Sequence, residues 1–189
     1  LSAKRPDLIM VRVTGTHDGQ NAIDYTVNAA TGFPIATGPD ERPVNHVMPG
    51  WDVAAGLYLC TGLLAAERRR ARTGQGGEIT LALADVGYAT VANLGYVADV
   101  RINGHVRPPL GNWLYGAFGR DFATRDGRAV MVCAISGRQW RAIGTATGLA
   151  HELAALGKLD DEGARYEARE AIAAVLEPWF AARTLAEVR

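Results

Sequence analysis

Asp52 is the residue whose place in the chain most invites chemistry. It closes the phrase Pro49-Gly50-Trp51-Asp52, after a long loop and at the start of an apolar-periodic segment that runs to Arg72 and is stopped by Thr73-Gly74-Gln75-Gly76-Gly77. A carboxylate at a helix start meets unpaired backbone N–H groups and the positive end of the helix dipole, both of which favour its ionised form. Such a group serves as an N-cap. It also serves as a covalent nucleophile where the leaving group is good, as in a thioester. Position alone leaves both readings open.

Other constellations carry less. The Gly74 to Gly77 cluster ends a helix and precedes a strand, the reverse of a dinucleotide fingerprint, so it reads as a helix stop and tight turn. Arg68, Arg69, Arg70 and Arg72 fall in the last turns of the same helix, where cations suit the carbonyl end, and read as a solvated face. The only serines, Ser2 and Ser136, sit in no nucleophile elbow, which argues against a serine hydrolase. His17, His46, His105 and His151 lack the i, i+4 zinc spacing, so no metal site is expected. Cys60 and Cys133 have no ligand spacing and make no disulfide framework; they read as two buried thiols in a reducing compartment.

The elements that must position Asp52 alternate in type. Leu8 to Val13 reads as a buried strand, Ile23 to Thr31 as a short helix ending at Gly32, and Phe33 to Pro49 as a connection with four prolines and little periodicity. After the Asp52 to Arg72 helix come a strand, Glu78 to Leu83, and a helix, Asp85 to Val100, with Asp85 as its candidate cap. This alternation predicts an α/β layer over residues 1–103. Residues 104–189 read as a smaller α+β domain. Ala117 to Thr124 and Arg128 to Ile135 flank Arg125-Asp126-Gly127 as a hairpin, and helices follow at 137–147, 149–157, 162–177 (ending before Pro178) and from Thr184.

Composition bounds the partners. The 189 residues are 48% hydrophobic and 21% charged, as an ordinary globular chain is, and 20 basic residues balance 20 acidic ones. Nothing in that balance suggests a nucleic-acid or membrane partner. Leu1 to Asp7 has no apolar stretch behind its charges, and the longest apolar run, Val53 to Ala66, is broken by Gly56, Thr61 and Gly62 and falls short of the ~20 residues of a span. A soluble, cytoplasmic protein is expected. The chain begins just before a core-like strand and stops inside a helical pattern, so a piece of something longer is expected too.

The segment Val44 to Gly77, with Asp52-Val53-Ala54-Ala55-Gly56, Gly62-Leu63-Leu64-Ala65-Ala66 and Arg72-Thr73-Gly74-Gln75-Gly76, resembles the central stretch of the family III (CaiB/BaiF-type) CoA-transferases. Pro6 to Gly15, Asp24 to Gly32 and Ala117 to Ile135 resemble the flanking strand, short helix and hairpin of that family. The resemblance implies part of the family's large α/β domain followed by its smaller α+β domain. It also implies that Asp52 carries the acyl group, that coenzyme A enters as part of an acyl-CoA substrate with no separate cofactor, and that the complete enzyme is an interlocked homodimer. Family members run to roughly twice this length, with an N-terminal half that supplies most contacts to CoA.

Within the superfamily, acyl-CoA racemases place a His-Asp pair where this chain has Ile23-Asp24, and isoleucine exchanges no proton, which implies transferase chemistry. The phrases Ile23 to Ala29, Pro43 to Val47 and Gly116 to Phe122 look most like the branch that moves CoA between the two carboxyl groups of one C5 dicarboxylic acid. Asp24, Tyr25, Asn28, Asn45 and His46 are the expected substrate-binding residues, with loop hydrogen bonding as the other use of Asn28, Asn45 and His46. Two alternatives stand beside this: transfer to a separate carboxylic acid, and a non-catalytic dimerisation module in which Asp52 is only a cap.

Overall fold

The computed structural model describes residues 3–40, 42–104 and 106–189; Ser2 and His105 lie outside the described residues. The chain divides into two compact units, Leu1–Pro109 and Leu110–Arg189.

In the first unit, β1 (Ile9–Thr14) and β2 (Gly77–Ala82) pair in parallel, with Ile9 opposite Gly77 and Thr14 opposite Ala82. Parallel pairing needs a crossover, and the helices α1 (Asp24–Thr31), α2 (Phe33–Thr37) and α3 (Gly50–Thr73) lie between the two strands in sequence. α3 ends where its glycine run begins: Gly74 takes φ 72° and donates to Arg70 O at 2.7 Å. Gly76 then passes so close to β1 that a Cβ would fall 2.0 Å from Leu8 O. Beyond β2 come α4 (Leu83–Asn93) and α5 (Tyr96–Asn103). The core gathers Val27 of α1, Trp51 and Ala55 of α3, and Leu83, Ala84 and Val86 of α4.

Three local expectations change here. The helix expected over Asp85 to Val100 is two helices, because Gly95 adopts φ 83° and turns the chain between them. Asp85 is not the cap of α4; that helix starts at Leu83 with Ala82 before it, leaving Asp85 in its first turn. Cys60 and Cys133 are exposed rather than buried, Cys133 because it alternates outward along its strand.

In the second unit, β3 (Phe118–Ala123) and β4 (Ala129–Ala134) form the antiparallel hairpin, with Phe118 opposite Ala134 and Gly127 at φ 72° in the turn. The helices are α6 (Gly137–Thr147), α7 (Ala150–Ala155), α8 (Glu162–Glu167), α9 (Arg169–Ala181) and α10 (Leu185–Val188). α6 opens with a capping box between Ser136 and Gln139. The helix expected over 162–177 breaks at Ala168, and its second part runs through Pro178 rather than stopping before it. Ile172, Leu176 and Phe180 recur at i, i+4 and i+8, all buried against Phe118, Phe122 and Ala134, and this continuous packing outweighs the bond that proline removes. Among the described residues, no helix is long and apolar enough to cross a membrane, and no cluster of His, Cys, Asp or Glu is arranged to hold a metal ion.

Candidate active site

α3 begins Pro49-Gly50-Trp51-Asp52, so the position where serine, threonine or aspartate normally caps a helix holds proline and offers no side-chain acceptor. The first-turn N–H groups are satisfied from elsewhere. Asp24, at the start of α1, turns Oδ2 toward α3 and accepts from Trp51 N at 2.7 Å and Asp52 N at 3.2 Å. One turn along the same face of α1, Asn28 Oδ1 accepts the indole Nε1–H of Trp51 at 3.1 Å, and Asn28 Nδ2 donates to Asn45 Oδ1 at 2.5 Å. Asn45 Oδ1 also accepts from His46 N at 3.1 Å. The imidazole Nε2 of His46 stands 3.9 Å from Asp24 Oδ1, which accepts no hydrogen bond among the described residues.

Asp52 therefore does not cap its own helix. It is exposed in the first turn of α3, and its carboxylate makes no hydrogen bond or ion pair among the described residues. It borders a cleft of about 420 Å³ between the end of β1 (Val13 to Gly15), the entry to α1 (Ala22 and Ile23), the α3 face (Ala55, Gly56, Leu59) and Leu83. Asp52 is the one ionisable group among those lining residues. A lone carboxylate at the edge of an apolar cleft, with the helix N-terminus behind it, is a group chemically able to act as a nucleophile. A second cleft, of about 400 Å³ in the second unit, is lined by Trp140, Arg141, Lys158 and Asp160 among others, with Lys158 and Asp160 exposed and paired at 3.7 Å.

The expected substrate-binding residues fall into two groups. Asp24 and Asn28 are 2% and 1% exposed and lie beneath the first turn of α3, bonded to Trp51 and Asn45. Tyr25 and Asn45 are exposed and His46 is half-buried; His46 borders a small hollow with Met48, Gly50 and Trp51, and none of these lines the cleft that Asp52 borders. Sequence reasoning passed over Trp51, the residue on which Asp24 and Asn28 converge. The available signal was negative: a helix start with proline at its cap position needs an acceptor from another element.

The whole of residues 1–189 matches the model of CoA-transferase family III. The chain belongs to that family. Among curated relatives, 2-methylfumaryl-CoA isomerase of Chloroflexus aurantiacus is 53% identical over 100% of this chain and 48% of its own length. Succinyl-CoA:mesaconate CoA-transferase of Haloarcula marismortui is 28% identical over 96% of this chain and 47% of its own. A crystal structure of a CAIB/BAIF family protein from Brucella suis superposes with a TM-score of 0.75 at 26% identity, covering 99% of this chain and 51% of that one. The α/β architecture described above is thus the family III fold, and the chain spans about half the length of the relatives it matches.

Proposed function

We propose that the whole protein is a CoA-transferase that moves CoA between carboxyl groups through an aspartyl intermediate on Asp52, and that its reaction is the intramolecular C1 to C4 transfer on 2-methylfumaryl-CoA (mesaconyl-CoA). The observation that carries this reading is the 53% identity across the full chain to a 2-methylfumaryl-CoA isomerase. Beside it stands the placement of Asp52, released from capping and set at the edge of an apolar cleft.

The chemistry proceeds in four exchanges. The Asp52 carboxylate attacks the C1 thioester and expels CoA thiolate, leaving a mixed anhydride. The thiolate attacks the aspartyl carbonyl of that anhydride, giving an aspartyl-CoA thioester and the free C5 dicarboxylate. The C4 carboxylate then attacks the aspartyl thioester, expelling thiolate and forming the second anhydride. Thiolate attack at C4 releases the C4 thioester and restores Asp52. Holding the dicarboxylate between the halves makes the return step effectively unimolecular, worth several kcal/mol. In this reading Asp24 and Asn28 support the turn beneath Asp52, while Tyr25, Asn45 and His46, which lie outside the cleft, carry no step.

Ile23 bears on the choice of chemistry, since it lines the same cleft as Asp52 and carries no exchangeable proton. An interlocked homodimer and a cytoplasmic setting belong to the same reading. The test is to incubate the whole protein with 2-methylfumaryl-CoA, trap the acyl-enzyme with hydroxylamine or borohydride, and map the modified peptide. Modification at Asp52 supports the reading; modification at Asp24 or Asp85 overturns it. Labelled free mesaconate added during turnover should not enter the product, whereas its incorporation would assign the protein to intermolecular transfer.

A further inference from the structure

A helix that needs only a cap has an inexpensive solution, a serine, threonine or aspartate at its own N-cap. α3 does not use it. Its cap position is Pro49, and the acceptor is a carboxylate on α1, 27 residues away from Trp51 in sequence and 2% exposed. Burying a carboxylate carries a desolvation penalty that a solvent-facing cap avoids. The difference between the two solutions is geometric: a local cap ends a helix, whereas a cap from another element fixes where the helix begins relative to that element.

Here the fixed point coincides with the nucleophile. One oxygen of Asp24 accepts two N–H groups, and one of them belongs to Asp52 itself. The residue before Asp24, Ile23, lines the cleft that Asp52 borders, so Asp24 ties together two walls of that cleft, the entry of α1 and the first turn of α3. Its other oxygen accepts no hydrogen bond among the described residues, which leaves the two α3 amides as its hydrogen-bond partners.

We infer that Asp24 is a positioning residue for Asp52, an inference that rests on the nucleophile reading above: its buried carboxylate holds the backbone of Trp51 and Asp52 and so sets the direction in which Asp52 presents its own carboxylate to the cleft. The experiment uses the whole protein with 2-methylfumaryl-CoA as the probe substrate and compares Asp24→Ala, Asp24→Asn, Asp24→Glu, Asp52→Asn and the core control Val86→Ala. Rates are expressed per folded molecule. Asp24→Ala should lower kcat by about 100-fold, the size of effect expected from displacing a reacting group by an ångström, with KM unchanged. Asp24→Asn, which keeps an acceptor oxygen in place, should restore most of that loss. Asp24→Glu keeps the charge but displaces it by a methylene, and should lose kcat with KM unchanged. Hydrogen exchange at the Trp51 and Asp52 amides should quicken in Asp24→Ala and not in Asp24→Asn. Val86→Ala should lower the melting temperature and leave kcat alone. Wild-type kcat in Asp24→Ala, or in Asp24→Glu if the alanine variant does not fold, alongside an inactive Asp52→Asn, would overturn the inference while sparing the nucleophile. Normal turnover by Asp52→Asn would instead remove the nucleophile reading and the inference with it.

Discussion

The indole Nε1–H of Trp51 donates to Asn28 Oδ1 at 3.1 Å, joining α3 to α1 across 23 residues of chain. The contact lies one helical turn from the point where Asp24 holds the backbone N–H of the same tryptophan. Trp51 is 7% exposed and stacks on Phe33 with ring centroids 5.7 Å apart, so the first turn of α3 is fixed by polar contacts on one side and by an aromatic contact on another.

That arrangement makes Asn28 a stability residue. Asn28→Leu removes the acceptor of a buried indole N–H and the donor to Asn45, and a buried donor left unpaired costs about 1–3 kcal/mol. Urea unfolding of the whole protein, followed by tryptophan fluorescence, should show a lower midpoint with an unchanged slope. An unchanged midpoint would mean that water or a rearranged side chain replaces the bond.

Asp52→Asn should separate activity from stability. Because Asp24 supplies the cap, the Asp52 carboxylate contributes to folding only through the helix dipole, about 0.3–1 kcal/mol at an exposed first-turn site. The melting temperature should barely move. Turnover should fall by several orders of magnitude, since a neutral amide forms no anhydride. Wild-type turnover would return Asp52 to the status of an ordinary surface carboxylate.

How far the sequence led can be judged at α3. Its apolar periodicity and the glycines after Thr73 placed it to within about two residues at either end. The segment before it read as a connection with little periodicity, yet Phe33–Thr37 is helical, a stretch too short to show a period. Single residues with two local meanings misled most. Gly95 in a helical pattern reads as a tolerated glycine and is in fact a turn, whereas Pro178 reads as a stop and is carried along by the packing of Ile172, Leu176 and Phe180. At the site, Asp52 was legible as a helix-start carboxylate. The partnership of Asp24 with α3 was not, since it joins residues distant in sequence and only tertiary structure brings them together.

The second unit should loosen locally in acid. Asp126 Oδ1 accepts from Thr124 Oγ1 at 2.6 Å and from Leu185 N at 3.2 Å, tying the hairpin turn to α10, and the Thr124 bond leads in holding its carboxyl below the ordinary 3.8. Glu187 Oε2 accepts from Thr184 N at 2.7 Å, the leading cause that holds its carboxyl below 4.5. Both groups bind protons less readily folded than unfolded. Their contribution is therefore complete above those ordinary values and is lost as pH falls through the lowered ones. Hydrogen exchange at Leu185, corrected for the intrinsic pH dependence, should lose protection on acidification below about pH 4. Asp126→Asn should already show part of that loss at neutral pH.

Arg165 supplies the last test, because it is a guanidinium with no exposed surface. Its Nη1 donates to Leu159 O and Asp160 O, each at 3.0 Å, and its Nη2 to Ile135 O at 3.2 Å, while Glu162 approaches Nη2 to 3.4 Å. One planar fork thus gathers the loop before α8 and the end of β4, which a lysine ammonium, a point charge on a flexible stem, does not reproduce. Arg165→Lys should destabilise by about 3 kcal/mol, since it leaves carbonyls unpaired and a buried charge with fewer acceptors. Arg165→Met leaves the same carbonyls without donors but adds no uncompensated charge, so it should cost less than lysine. Equilibrium unfolding of the three proteins decides the matter. If Met is the worse substitution, the charge and the donors that lysine retains together outweigh the desolvation penalty.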